Sequence, residues 1–198
     1  MKLIIALVAG VILAVGAAAA EQDANALATG VCSACHGPGG HSISPVFPNL
    51  AGQQSAYTML QLNAFRDHAR GDPNAQAYMW GMASQLTDDT IKALADYYAS
   101  QKPARVQAGD RALLAEGEKI YTQGIKDQNV QPCASCHGPT AEGLAAFPRL
   151  AGQHIDYLTA QLEGFKSSLR GNAPIMLAVA RSMTSDQMKA VATYAASR

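Results

Sequence analysis

Apolar residues are distributed along the chain in two different ways. From Leu3 to Ala20 they form one unbroken run, and no later stretch is comparably apolar. Beyond that run they return at helical spacing. Leu158, Leu162, Phe165 and Leu169 recur at i, i+4, i+7 and i+11 and stop before Gly171, which predicts an amphipathic helix with one buried stripe. Ile91, Leu94, Ala95 and Tyr98 follow the same period behind Thr87, a candidate N-cap with Asp88 and Asp89 in the first turn. Thr184 stands in the same relation to Asp186. Another helix is expected from Arg111 to about Tyr121, with a shorter equivalent at Ala24–Val31. β-Branched alternation is absent and alanine is abundant, so the expected fold class is all-α.

The leading run, preceded only by Lys2 as a charge and ending in Ala18 and Ala20, suits a secretory signal peptide over residues 1–20, cleaved before Glu21. It is also long enough to span a bilayer, so an uncleaved anchor is the alternative. Without it, 15 − 1 = 14 Lys and Arg stand against 15 Asp and Glu, a formal charge of −1. That balance offers nothing to attract nucleic acid.

The remainder repeats itself. CSACHGP at 32–38 returns as CASCHGP at 133–139, and FPNLAGQ at 47–53 as FPRLAGQ at 147–153. Tyr57, Gln61, Leu62, Phe65, Arg70 and Gly71 reappear as Tyr157, Gln161, Leu162, Phe165, Arg170 and Gly171. Two tandem domains of one fold are expected, at 21–101 and 111–198, joined by a linker at 102–110 in which Pro103 disfavours helix.

Four cysteines in an exported chain could mean two disulfides. Here they form two C-x-x-C-H motifs, Cys32 and Cys35 before His36, and Cys133 and Cys136 before His137. That is the attachment pattern of c-type haem: two thiols one helical turn apart form thioethers, and the adjacent histidine reaches the iron. A redox dithiol or one shared Cys₄ zinc site are the alternatives, but each pair carries its own histidine in its own half. Bis-histidine ligation would need a further duplicated histidine, and His41, His68 and His154 have no counterparts; surface or rim positions suit them better. Methionine ligation finds one duplicated pair: Met79 lies eight residues before Thr87, and Met176 eight before Thr184. Met82 aligns with Val179 and is expected in the core, as are Met59, Met183 and Met188.

Duplicated C-x-x-C-H-G and FP-x-LAGQ elements, each followed by a methionine, resemble the cytochrome c4 family of dihaem c-type cytochromes over residues 25–198. The resemblance implies two cytochrome c-like helical domains related by a pseudo-twofold axis, each holding one covalently bound haem c. It implies that the carbonyls of Pro48 and Pro148 accept from the axial histidines. The implied function is one-electron transport in the periplasm, without enzymatic chemistry, between partners such as a quinol:cytochrome c oxidoreductase and a terminal oxidase. Membrane association is possible through the N-terminal segment. Two rivals stand beside this reading: an electron-transfer subunit of a larger dehydrogenase, such as a flavin-containing sulfur enzyme, and a dihaem peroxidase-like enzyme. A loop one residue longer in the first half, and the extra segment GIKDQNVQP before the second motif, are expected to make the two haems inequivalent.

Overall fold

A computed structural model describes residues 24–104 and 109–198. The expected signal or anchor segment lies outside the described residues, as do positions 105–108 of the expected linker. Among the described residues the chain is helical, and its only β pairings are isolated bridges. In the first half a π-helical stretch Leu27–Cys32 runs into the turn Ser33–His36 (together α1). Next come α2, Ser55–Arg66; α3, the π-helical Ala75–Met79 continued by Trp80–Ala83; and α4, Asp88–Ser100. The second half contains α5, Arg111–Gln123; α6, Ala134–His137; α7, Ile155–Lys166; α8, Pro174–Ala180; and α9, Ser185–Ala196.

Local signals fix most of these boundaries. The Thr87 hydroxyl accepts from the Thr90 amide at 3.2 Å, and Thr184 forms a reciprocal capping box with Gln187. Asp110 starts α5 by accepting from the amides of Ala112 and Leu113. Two expectations need correction. The first-half helix does not stop at Val31; it continues through a π-helical turn to His36, so the cysteine motif lies on the helix rather than after it. The α7 stripe ends before Leu169. The chain reverses at Ser168 (φ 62°), which leaves Leu169 52 % exposed and turns Arg170 inward instead.

In the second half α9 crosses α5 and packs on α7, over a core that includes Tyr121, Met183, Met188 and Val191. The crossing is close: a Cβ on Gly117 would strike the Ala190 carbonyl. In the first half Ala24 and Ala28 pack on Leu94 and Tyr98, while Phe65, Ala75 and Ala83 form a second cluster. Leu62 and Leu86 touch both clusters.

The halves meet across a polar seam. Gln53 accepts from the Arg149 amide at 2.7 Å and donates to the Arg149 carbonyl at 3.0 Å. Gln153 does the same to Asn49, at 2.8 and 2.9 Å. Each glutamine thus saturates the backbone of one residue in the opposite half. Bonds exchanged reciprocally between equivalent residues are what twofold symmetry requires, so the pseudo-twofold relation appears in individual contacts. The adjacent glycines keep the seam tight: Gly52 packs against Pro103, and Gly152 against the Ala104 carbonyl, so described parts of the linker lie directly on them.

A second cluster lies at the same seam. The Oε1 of Gln61 accepts from Arg70 (2.9 Å) and Arg170 (3.0 Å), and that of Gln161 from Arg170 (2.7 Å) and Arg70 (2.8 Å). Arg170 also donates to the Tyr57 hydroxyl at 2.8 Å, and Arg70 to that of Tyr157 at 3.3 Å. Burial raises the Tyr57 pKa, but the guanidiniums of Arg170 and Arg70 outweigh it and the net shift is downward. Both arginines are 4 % exposed and lie over Phe65 and Phe165. Symmetry fails at one point: Asp72 pairs with Arg70 at 2.7 Å, whereas Asn172 occupies the matching position near Arg170. The side-chain oxygen of Asn172 and the Nε of Arg170 are buried without partners among the described residues.

Asp72 is therefore the seam's buried countercharge. Asp72→Asn should cost about 3–5 kcal/mol, the loss typical of breaking a buried pair from one side. Asn172→Asp should be neutral or stabilising, because it supplies the carboxylate that Arg170 lacks. Denaturant unfolding of the holoprotein, followed by haem absorbance, measures both.

Candidate haem-binding site

On the last turns of α1, Cys32 lies three residues before Cys35 and four before His36, so the three side chains share one helix face. The helix stops at Gly37 (φ 74°), where a Cβ would collide with the His41 carbonyl. His36, 7 % exposed, donates from Nδ1 to the Pro48 carbonyl at 2.9 Å. A carbonyl can only accept, so Nδ1 carries the proton and Nε2 keeps its lone pair for a metal. Burial lowers the His36 pKa against the opposing pull of the Pro48 carbonyl, which keeps the imidazole neutral. Phe47 meets the ring edge-on at 6.1 Å.

The second half repeats this arrangement on α6. His137 donates to the Pro148 carbonyl at 3.0 Å, burial lowers its pKa, and Phe147 stands edge-on at 6.3 Å. The histidine-to-proline separation is twelve residues in the first half and eleven in the second, yet the bond is the same. The extra GIKDQNVQP segment folds into a closed loop, with Ile125 and Val130 exchanging hydrogen bonds of 2.9 and 3.0 Å. It therefore leaves the histidine geometry unchanged.

None of the four cysteines is paired in a disulfide. Burial raises the pKa of Cys32 and pushes that of Cys133 up to about 11. Among the described residues no three His, Cys, Asp or Glu side chains converge on a metal position, so the two cysteine pairs do not build one shared zinc site.

Met79 and Met176 are both partly buried, packed respectively against the Phe65 cluster and the second-half core. Met82 departs from expectation: it is 59 % exposed, because Ala83 takes the inward position on that single turn. Met183 and Met188 are core residues as expected. His41 and His68 are exposed, and His154 is partly buried. His68 stacks on Trp80 at 4.2 Å, and Trp80 donates to the Arg70 carbonyl at 2.7 Å, tying α3 to the seam.

These side chains fit a covalently held porphyrin. Each half pairs a buried neutral imidazole with two thiols one turn away. Partly buried apolar side chains packed on each core would be available to line it: Leu50, Leu62 and Leu86 in the first half, Leu150, Leu162 and Leu177 in the second. The repeats alone did not disclose the roles of Asn49, Gln53, Gln153, Tyr57, Gln61 and Arg70. Their signal was available: they include duplicated polar residues that neither cap a helix nor belong to the cysteine motif.

Comparison with known proteins gives the same result. The cytochrome c family profile matches twice, at residues 21–102 and 114–197. Cytochrome c4 of Thiocapsa roseopersicina is 40% identical over 178 residues, covering 87% of this chain and 90% of that one. The structure of Acidithiobacillus ferrooxidans cytochrome c4 superposes with a TM-score of 0.80 at 40% identity, covering 84% of this chain and 98% of the other. A thiosulfate dehydrogenase electron acceptor of Thiomonas intermedia is 39% identical over 175 residues, 84% of this chain and 78% of its own length. The chain belongs to the cytochrome c4 family, dihaem electron carriers whose two tandem cytochrome c domains each hold a covalently attached haem c.

Proposed function

We propose that this electron carrier works in the periplasm, exported by its N-terminal segment. In this reading Cys32 and Cys35 attach the first haem, with His36 and Met79 as axial ligands. Cys133 and Cys136 attach the second, with His137 and Met176. The observation that supports it is the duplication of the whole constellation: a histidine held by a proline carbonyl at 2.9 and 3.0 Å, and a partly buried methionine before each capped helix.

When bound, haem c supplies a one-electron Fe(III)/Fe(II) couple. The protein's own work is positional. Pro48 and Pro148 fix the ring orientation of His36 and His137 and raise their basicity. The apolar side chains around each site would exclude water, and Met79 and Met176, holding the haem opposite His36 and His137, would raise its potential. A histidine and a methionine on each iron would leave no open position for substrate, which suits a carrier rather than an enzyme. Donors and acceptors are redox proteins: a quinol:cytochrome c oxidoreductase or another periplasmic protein on one side, a terminal oxidase on the other. Likeness to the electron acceptor of a thiosulfate dehydrogenase favours a second reading, in which the donor is a sulfur-oxidising dehydrogenase.

Met79→Ala should abolish one of two Met–Fe charge-transfer bands in the oxidised spectrum, and Met176→Ala the other. Met82→Ala should leave both intact; loss of a band in that variant instead would refute the ligand assignment. A redox titration should show two one-electron steps with no high-spin ferric haem. Sustained peroxide turnover by the isolated protein would exclude the carrier reading. Rapid reduction by a purified thiosulfate dehydrogenase, with slow reduction by quinol:cytochrome c oxidoreductase, would select the second donor.

A further inference from the structure

The Pro48 carbonyl and the Asn49 amide belong to one peptide group. The carbonyl accepts from His36 Nδ1 at 2.9 Å, and the amide donates to Gln153 Oε1 at 2.8 Å. The peptide between Pro148 and Arg149 is held in the same way, by His137 at 3.0 Å and by Gln53 at 2.7 Å. Each histidine is thus connected through one planar peptide to a glutamine of the opposite half. The glutamines are set firmly: Gln153 also donates to the Asn49 carbonyl at 2.9 Å and accepts from the His154 amide at 3.1 Å, and both glutamines are buried.

We propose that Gln153 and Gln53 are positioning residues that tune the axial histidine of the other half, Gln153 acting on His36 and Gln53 on His137. An acceptor on the amide side of a peptide polarises its carbonyl, because the group is conjugated. The Pro48 carbonyl then draws harder on the Nδ1 proton of His36, and the imidazole becomes a stronger donor at Nε2. A stronger donor favours the ferric state and lowers the potential. The same bonds fix the peptide plane and, with it, the ring rotation. The influence therefore crosses the seam: a residue of the second half tunes the first-half site, and the reverse. The inference rests on the His/Met ligation proposed for each half.

The test is spectroelectrochemical titration of the full dihaem protein, with waves assigned by the one displaced in Met79→Ala. Gln153→Ala should raise the first-half wave, increasing its reduced-to-oxidised ratio at fixed potential by about threefold, ~28 mV for a one-electron couple. The second-half wave should move far less. Gln53→Ala should give the mirror result. Should an alanine variant fail to accumulate, Gln153→Met decides: it keeps the side-chain length and apolar packing, loses both amide bonds to Asn49 without adding a charge, and should raise the first-half wave in the same way. In parallel, the His36 Nδ1 proton resonance of the reduced protein should shift upfield in Gln153→Ala, away from the position of a strong hydrogen bond. A shift confined to the glutamine's own half, equal shifts of both waves, or no shift would overturn the proposal. Failure of the ligation reading looks different: wild-type protein would then lack two Met–Fe bands from the start.

Discussion

A trans peptide is planar, with its acceptor and its donor on opposite edges, so fixing one edge fixes the direction of the other. In this fold that constraint applies at Pro48–Asn49 and again at Pro148–Arg149. One edge of each peptide holds a histidine and the other holds a glutamine from across the seam. The orientation of the histidine and the register between halves therefore cannot vary independently. Proline suits the position for a further reason: lacking an N–H, it adds no buried donor needing a partner beside the histidine. The tightness of the seam follows from the same requirement. Glycines at 52 and 152, with φ of 69° and 73°, let the chain approach closely enough for the glutamine amides to reach.

Duplication preserves geometry here more strictly than charge. The two loops between histidine and proline differ in length, and the second half carries an extra closed loop, yet the histidine bonds differ by only 0.1 Å. Electrostatics diverge at Asp72 and Asn172. Arg70 has its carboxylate, while Arg170 relies on neutral acceptors, the oxygens of Gln61, Gln161 and Tyr57. Burial lowers the Arg70 pKa, but Tyr157, Tyr57 and Asp72 outweigh it, so the group is held firmly protonated. Of the two buried arginines, only the one beside Asp72 is thus paired with a carboxylate among the described residues. One carboxylate without a twin is a charge difference between the halves that loop length does not supply.

Much of this architecture was legible in the sequence because it depends on local rules. The cysteine–histidine face follows from helical spacing, the starts of α4 and α9 from threonine caps, and the tandem arrangement from repeated motifs. Two features depend on tertiary context and were misjudged. Leu169 fits the period of α7, but periodicity does not disclose the left-handed turn at Ser168 that removes it from the stripe. Met82 shares a turn with Met79, but the inward position of that turn belongs to Ala83. The π-helical stretches before Cys32 and up to Met79 leave no simple residue signature. Seam residues were visible as repeats but not as contacts, because sequence similarity shows that two positions are equivalent, not that they touch.

Ordering of the two histidine loops and docking of the halves consequently share the same peptide groups. Each half is small, and a covalently held porphyrin would add apolar surface to its core. The proline loop that orients the histidine also presents Asn49 or Arg149 to the seam. Each loop is therefore held from two sides, by the histidine of its own half and by the glutamine of the other. A tandem chain gains from this what two separate cytochromes would lack: each histidine loop is held partly by the opposite half.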